Sequence, residues 1–149
     1  MTPEAIAEVK ASHAEVVQRP RLLAARFYDD LFAADPALRP LFPVDLTPVE
    51  GHFEAALALV IRNLDDTDAL RQSLQALGAQ HVQWRTRPED YVTARGALIS
   101  AVRALSISWD EALERHWREA ITAIIVPMLE GAAVRTAVFA EELSAQRHG

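Results

Sequence analysis

Five histidines hold most of the chemistry open to this 149-residue sequence: His13, His52, His81, His116 and His148. No cysteine is present, which excludes thiol catalysis, disulfides and cysteine-ligated zinc or iron–sulfur centres. The sequence contains no Gly-x-Ser-x-Gly, no glycine-rich phosphate loop and no His-Glu-x-x-His. Among the histidines His81 stands out by position. Leu70, Leu74, Leu77 and His81 fall within about 60° of one another on a helix, so the imidazole points where a core should be. A buried imidazole needs a partner, because an unpaired buried polar group costs about 1–3 kcal/mol. That partner is either a hydrogen-bonding group or a metal. No second histidine or carboxylate stands three or four residues after His81, which argues against a metal cage built from that helix alone. An iron held mainly by a porphyrin needs only one axial ligand from the protein. His13 and His116, at the edges of apolar stripes, read as hydrogen-bonded structural histidines. His148, next to the last residue, reads as frayed, and Glu141-Glu142 as a solvated helix face.

The elements that must position these groups read as helices throughout. With 27 alanines and 17 leucines, strong helix formers dominate, and no strictly alternating run or Asn-Gly or Asp-Gly turn marks a strand pair. Thr2-Pro3-Glu4 starts a first helix with Ile6, Val9, His13, Val16 and Val17 on one face. Arg19-Pro20 ends it and opens a second, carrying Leu23, Phe27, Leu31 and Phe32, which Asp35-Pro36 stops. Ala37 to Phe42 has room for a turn or two. Thr47-Pro48-Val49-Glu50 reads as a capping box, followed by Val49, Phe53, Ala56, Leu57, Val60 and Leu64 at helical spacing. Asp65-Asp66-Thr67-Asp68 precedes the helix of His81. Arg87-Pro88-Glu89-Asp90 starts another helix, with Tyr91, Ala94, Leu98, Val102 and Leu105. Ser108-Trp109-Asp110-Glu111 reads as a second capping box opening a long last helix, in which Pro127 predicts a kink. Six or seven helices and no sheet predict an all-α fold.

Net charge and length narrow the function further. Fifteen basic against 21 acidic residues give −6, so nucleic acid is not an expected partner. No stretch approaches 18 uncharged apolar residues, so no membrane span is expected. The acidic, amphipathic start lacks a signal-peptide pattern, which predicts a cytoplasmic protein. One domain of this size leaves no room for a dinucleotide-binding domain alongside it.

Several local patterns together resemble one family. The run Phe27 to Phe42, FYDDLFAADPALRPLF, looks like the B helix and C turn of bacterial globins, most of all the flavohaemoglobin and single-domain haemoglobin branch. LGAQH, ending at His81, followed by RPEDY, ending at Tyr91, looks like that branch's proximal segment. ALERHWREA, residues 112–120, resembles its last helix. The resemblance covers roughly Pro3 to Gly131. It implies a globin fold of about six to seven helices around a haem pocket, as a single domain over 1–149, with about 132–149 as a C-terminal helical extension. It also implies haem b as cofactor.

Residue by residue, the resemblance implies that His81 is the proximal iron ligand, with its other ring nitrogen donating to a carbonyl near Leu77. Phe42 matches the phenylalanine that wedges the haem plane. Tyr28 matches the distal tyrosine whose hydroxyl faces the bound ligand, the alternative being a core tyrosine with a surface hydroxyl. On the distal helix Val49 stands where the family often has glutamine, and Phe53 where it often has leucine. Leu98 is a further pocket residue. His52 lies at the pocket rim, where it meets a haem propionate or swings inward as a sixth ligand. A register slid by three would put His52 in place of Val49. Trp84-Arg85-Thr86 replaces the family's Tyr-Gly-Val. Tyr91 matches the tyrosine that, with a glutamate, polarises the proximal histidine in flavohaemoglobins. Glu130 is near in sequence to that glutamate's place, but the register around Pro127 is loose.

Three functions compete at this level. The leading expectation is reversible binding of O2, and of other diatomic ligands such as NO. The second is nitric oxide dioxygenase activity, which converts NO and O2 to nitrate and would need a separate reductase as partner. The third is a sensor or interaction module. Beyond Gly131, Val134, Val138, Phe139 and Leu143 are expected on one face, either as a homodimer surface or as the end of the last helix.

Overall fold

The computed structural model describes the backbone of residues 1–148 and the side chains of residues 1–146. Among the described residues there are six α-helices: α1 Pro3–Val16, α2 Leu22–Ala34, α3 Thr47–Arg62, α4 Thr67–Gln83, α5 Pro88–Leu105 and α6 Glu111–His148. A 3-10 turn, Pro36–Leu41, joins α2 to α3, and no strand occurs among the described residues. The helix order and the Pro-marked breaks follow the sequence reading. The side chain of His148 lies outside the described residues.

Local chemistry sets the helix ends, with two corrections. The capping box expected at Thr47 does not form: Thr47 is already helical, and Asp45 Oδ1 accepts from its N–H at 3.0 Å. Likewise Asp110, not Ser108, caps α6, its Oδ1 accepting from Leu113 N–H at 2.7 Å. In both cases a nearby aspartate, acceptor-only and charged, replaces the hydroxyl. At the start of α5, Asp90 Oδ2 accepts from Arg87 N–H at 2.9 Å while Asp90 N–H donates to Arg87 O at 3.0 Å. The start of α2 has no cap of its own, and Arg21 there has φ 66°. Glu54 of α3 caps it from outside, accepting from Arg21 N–H at 3.0 Å and Ala24 N–H at 3.1 Å. That contact fixes α2 against α3 at the level of Tyr28 and Phe53.

Trp117, Leu23, Val9 and Val102 are the largest fully buried side chains, drawn from α6, α2, α1 and α5. Trp117 Nε1–H donates to Ser12 Oγ at 3.0 Å, so α6 is tied to α1 through the core. His13 is buried, but Nε2 has no partner, contrary to the hydrogen-bonded role expected for it. His116 meets Glu8 through Nε2 at 3.1 Å, while its Nδ1 is buried without a partner.

α4 and α6 run antiparallel in close contact, which requires glycine. A Cβ on Gly78 would stand 2.6 Å from Met128 Cα, and one on Gly131 would stand 2.7 Å from Gln75 Cα; each would lie closer still to the facing carbonyl. α6 passes through Pro127 as one continuous helix. It also corrects the membrane expectation in part. By length and composition alone α6 could cross a membrane, with mean hydropathy 1.6 over an 18-residue window that tolerates two charges. In this fold the same helix gives Trp117, Ala120, Ile121 and Met128 to the core, but only 17% of that apolar window is buried.

Candidate functional site

Between α2, α3, α4, α5 and α6 lies a cavity of about 560 Å³. All eight residues singled out in the sequence line it: Tyr28, Phe42, Val49, His52, Phe53, His81, Tyr91 and Leu98. Their helices explain why. On α3, Val49, His52, Phe53, Ala56, Leu57 and Val60 recur at the three-to-four-residue spacing that keeps one face toward the cavity. Val49 and Phe53 are half-buried there, and His52 is exposed.

His81 sits in the last turn of α4. Its carbonyl accepts from Trp84 N–H at 3.1 Å and from Thr86 N–H at 3.0 Å, closing the helix end. Its Nδ1 lies 2.7 Å from Leu77 O, the carbonyl one turn earlier that the resemblance pointed to. A carbonyl only accepts, so Nδ1 carries a proton, and in the neutral ring Nε2 keeps its lone pair. Nε2 has no hydrogen-bond partner among the described residues. Burial pushes the imidazole below the usual histidine range, opposed by the Leu77 carbonyl. The ring therefore stays neutral near pH 7, the form that binds a metal. Trp84 packs against it with ring centroids 4.8 Å apart, and Tyr91 at 6.2 Å.

Around Tyr28 an aromatic cluster sets the other side of the cavity. Phe27 stacks on Phe53 with centroids 4.4 Å apart and planes at 7°. Tyr28 meets Phe27 at 4.9 Å and Phe42 at 5.4 Å, both edge-on. Tyr28 is buried and lines the cavity, and its hydroxyl makes no hydrogen bond to protein among the described residues. Burial first, and the nearby Glu50 charge second, push its pKa far above the usual tyrosine range, so it remains a proton donor.

Glu130 does not reach Tyr91 or His81. Its Oε2 accepts from Arg71 at 2.6 Å and from Gln75 Nε2 at 3.0 Å, on α4. The Tyr91 hydroxyl is buried with no partner, and burial raises its pKa. Sequence reasoning missed several lining residues: Trp84, Thr86, Asp90, Arg95, Ile124, Ile125 and Met128. For Arg95 one signal existed, its place one helical turn after Tyr91. Its Nη1 lies 3.5 Å from Thr122 Oγ1 on α6. The isoleucines and Met128 looked like ordinary core positions.

A large, mostly apolar cavity with one unshielded imidazole nitrogen, one free hydroxyl and one orphaned hydroxyl fits a flat, apolar, metal-bearing group. Comparison with known proteins agrees. The Globin family model matches residues 25–128. A flavohemoprotein of Bordetella pertussis is 27% identical over 112 residues, covering 69% of this chain and 26% of that protein. The chain thus spans about a quarter of that relative's length. Among solved structures, an engineered carbene transferase made from a Rhodothermus marinus protein assigned as a nitric oxide dioxygenase superposes with TM-score 0.83 at 22% identity, over 94% of this chain and 99% of that one. A bacterial globin from Campylobacter jejuni gives 0.71 at 21% identity, over 93% and 99%. A hexa-coordinate hemoglobin from Drosophila melanogaster gives 0.79 at 17% identity, over 87% and 94%. At these identities the structural likenesses speak for the fold, and the family match, over more than half the chain, speaks for kinship: the chain belongs to the globin family.

Proposed function

We propose that the chain binds haem b through His81 Nε2 and holds a diatomic ligand, chiefly O2, under the Tyr28 hydroxyl. The observation that supports this reading most is the geometry of His81: Nδ1 lies 2.7 Å from Leu77 O, and Nε2 has no protein hydrogen-bond partner among the described residues at the wall of a 560 Å³ cavity. Haem, when bound, supplies an iron with a coordination position for O2, NO or a similar molecule.

The chain's own residues supply the rest. The carbonyl of Leu77 holds the imidazole in one tautomer and one orientation. Phe42, Val49, Phe53 and Leu98 enclose the group in apolar surface and exclude water. Tyr28 offers one proton donor in a dry site, where a hydrogen bond is stronger than in water. His52, exposed where it lines the cavity, would meet a carboxylate of the group. Val49 has no hydrogen to donate, so Tyr28 is the main distal donor.

The arrangement favours holding a ligand over turning it over. His81 donates to a neutral carbonyl, and no carboxylate hydrogen-bonds to His81 or Tyr91 among the described residues. The imidazole thus has less anionic character to push electrons to iron. Nitric oxide dioxygenase activity would need a reductase to return electrons on each turnover.

Haem titration followed by absorbance tests the reading. The wild-type chain should take up stoichiometric haem with a sharp Soret band, and His81→Ala should lose it. No Soret band in the wild type, or stoichiometric retention in His81→Ala, overturns the reading.

A further inference from the structure

α6 carries a second surface that the cavity does not use. Up to Gly131 its face is covered by α4. Beyond that point Val134 is 65% exposed, Val138 39%, Phe139 51% and Leu143 41%. They do not form a single stripe as expected. At about 100° per residue, Val134 and Val138 form one row and Phe139 and Leu143 another. Arg135 and Glu142 run between the rows, two turns apart and within about 20° of each other. Beside them a groove of about 450 Å³ opens between α4 and α6, lined by Gln75, Ala79, Val134, Arg135 and Val138.

Arg135 and Glu142 have no ion pair among the described residues. Their own helix cannot provide one. The residues three and four away from Arg135 are Gly131, Ala132, Val138 and Phe139. Those around Glu142 are Val138, Phe139, Ala145 and Gln146.

We propose that this half of α6 is an interface with a second copy of the chain, paired antiparallel about a two-fold axis between Val138 and Phe139. An axis there sets Arg135 against Glu142 of the partner subunit and Glu142 against the partner's Arg135, two ion pairs from one symmetry operation. Near the axis Val138 meets Val138 of the partner subunit, and Phe139 meets the partner's Phe139. The alternatives are worse. A parallel pair brings arginine to arginine and glutamate to glutamate. An axis moved to Glu142 sets that carboxylate against its own copy.

Sedimentation velocity of the full chain, from about 1 µM to about 1 mM, tests the proposal. The wild type should pass from monomer to dimer. Arg135→Glu and Glu142→Arg should each weaken the dimer by on the order of 10-fold or more, because each creates two like-charge contacts. The double variant should recover most of the wild-type affinity. Circular dichroism of each variant separates loss of pairing from loss of folding. A chain monomeric at about 1 mM, a dimer indifferent to both single reversals, or a monomer that instead sediments with phosphatidylcholine vesicles overturns the proposal.

Discussion

Gly78→Ala isolates the contact that sets where His81 sits. Gly78 lies three residues before His81 on α4, and Gly131 faces Gln75 one turn along the same crossing. Real Cβ atoms essentially never come within 3.0 Å of another heavy atom, yet a Cβ at Gly78 would be 2.6 Å from Met128 Cα and nearer its carbonyl. The obstacle is backbone, so no rotamer change relieves it. α4 has to move off α6 by about 1 Å, in an interior packed as densely as a crystal. Overpacking of this kind costs about 1–3 kcal/mol, less the 0.5–1 kcal/mol that alanine gains over glycine within a helix. A net loss of about 1–2 kcal/mol is expected, and a similar loss for Gly131→Ala. Gly51→Ala and Gly96→Ala are the internal controls, since nothing lies within 4 Å of a Cβ at either. They should be neutral or stabilising by up to about 1 kcal/mol. Urea midpoints of the haem-free chain measure the stability difference. The rate of haem loss to a scavenger protein reads the displaced His81, because a shift near 1 Å spoils a positioned ligand. If Gly78→Ala unfolds at the wild-type midpoint and loses haem at the wild-type rate, the close α4–α6 approach does not position the imidazole.

Two further outcomes follow from the same geometry. Tyr28→Phe removes the free hydroxyl and leaves the ring, its aromatic contacts and the cavity in place; O2 should dissociate roughly 5- to 30-fold faster, for a hydrogen bond of about 1–2 kcal/mol, and stopped-flow rates equal to wild type would refute a distal role. The second concerns pH. Burial lowers the pKa of His13, with Glu54 opposing, so between the unfolded value near 6.5 and the lower folded value the unfolded chain binds more protons. Stability of the haem-free chain should therefore be full above pH 6.5 and fall as pH drops through that window. His81 is shifted in the same direction, so the comparison keeps His81 intact: His13→Gln should flatten the slope of urea midpoint between pH 7 and 5, and an unchanged slope would assign it elsewhere.

How far the molecule could be read from its residues depended on the range of each interaction. Helix breaks at Pro3, Pro36, Pro48 and Pro88 are local, because proline removes a donor wherever it stands, and the structure places helix or 3-10 starts there. The inward place of His81 was legible for a similar reason, since the stripe running from Leu70 is a property of one helix; the Leu77 contact was expected only through the resemblance. Caps were read less well. At Thr47 and Ser108 a hydroxyl and an aspartate compete within two residues, and the pattern alone does not rank them. Glu54 capping α2 across 30 residues or more, and Gly78 meeting Met128, left no local trace.

Glu130 marks where pattern and packing part most clearly. Beside Pro127, its place along the chain invited a role next to His81 and Tyr91. In the fold it turns to Arg71 and Gln75 instead, since a half-exposed ion pair at the surface costs far less than a carboxylate carried into an apolar cavity. The space it would have filled is bounded by Ile124, Ile125 and Met128, and the Tyr91 hydroxyl is left bare. No hydrogen bond joins Tyr91 to His81 among the described residues, so the Leu77 carbonyl is the acceptor at the Nδ1 proton. If His81 holds haem as proposed, the Leu77 carbonyl would be the one hydrogen-bond acceptor tuning its imidazole, and the proposed preference for holding a ligand would follow from where Arg71 stands on α4.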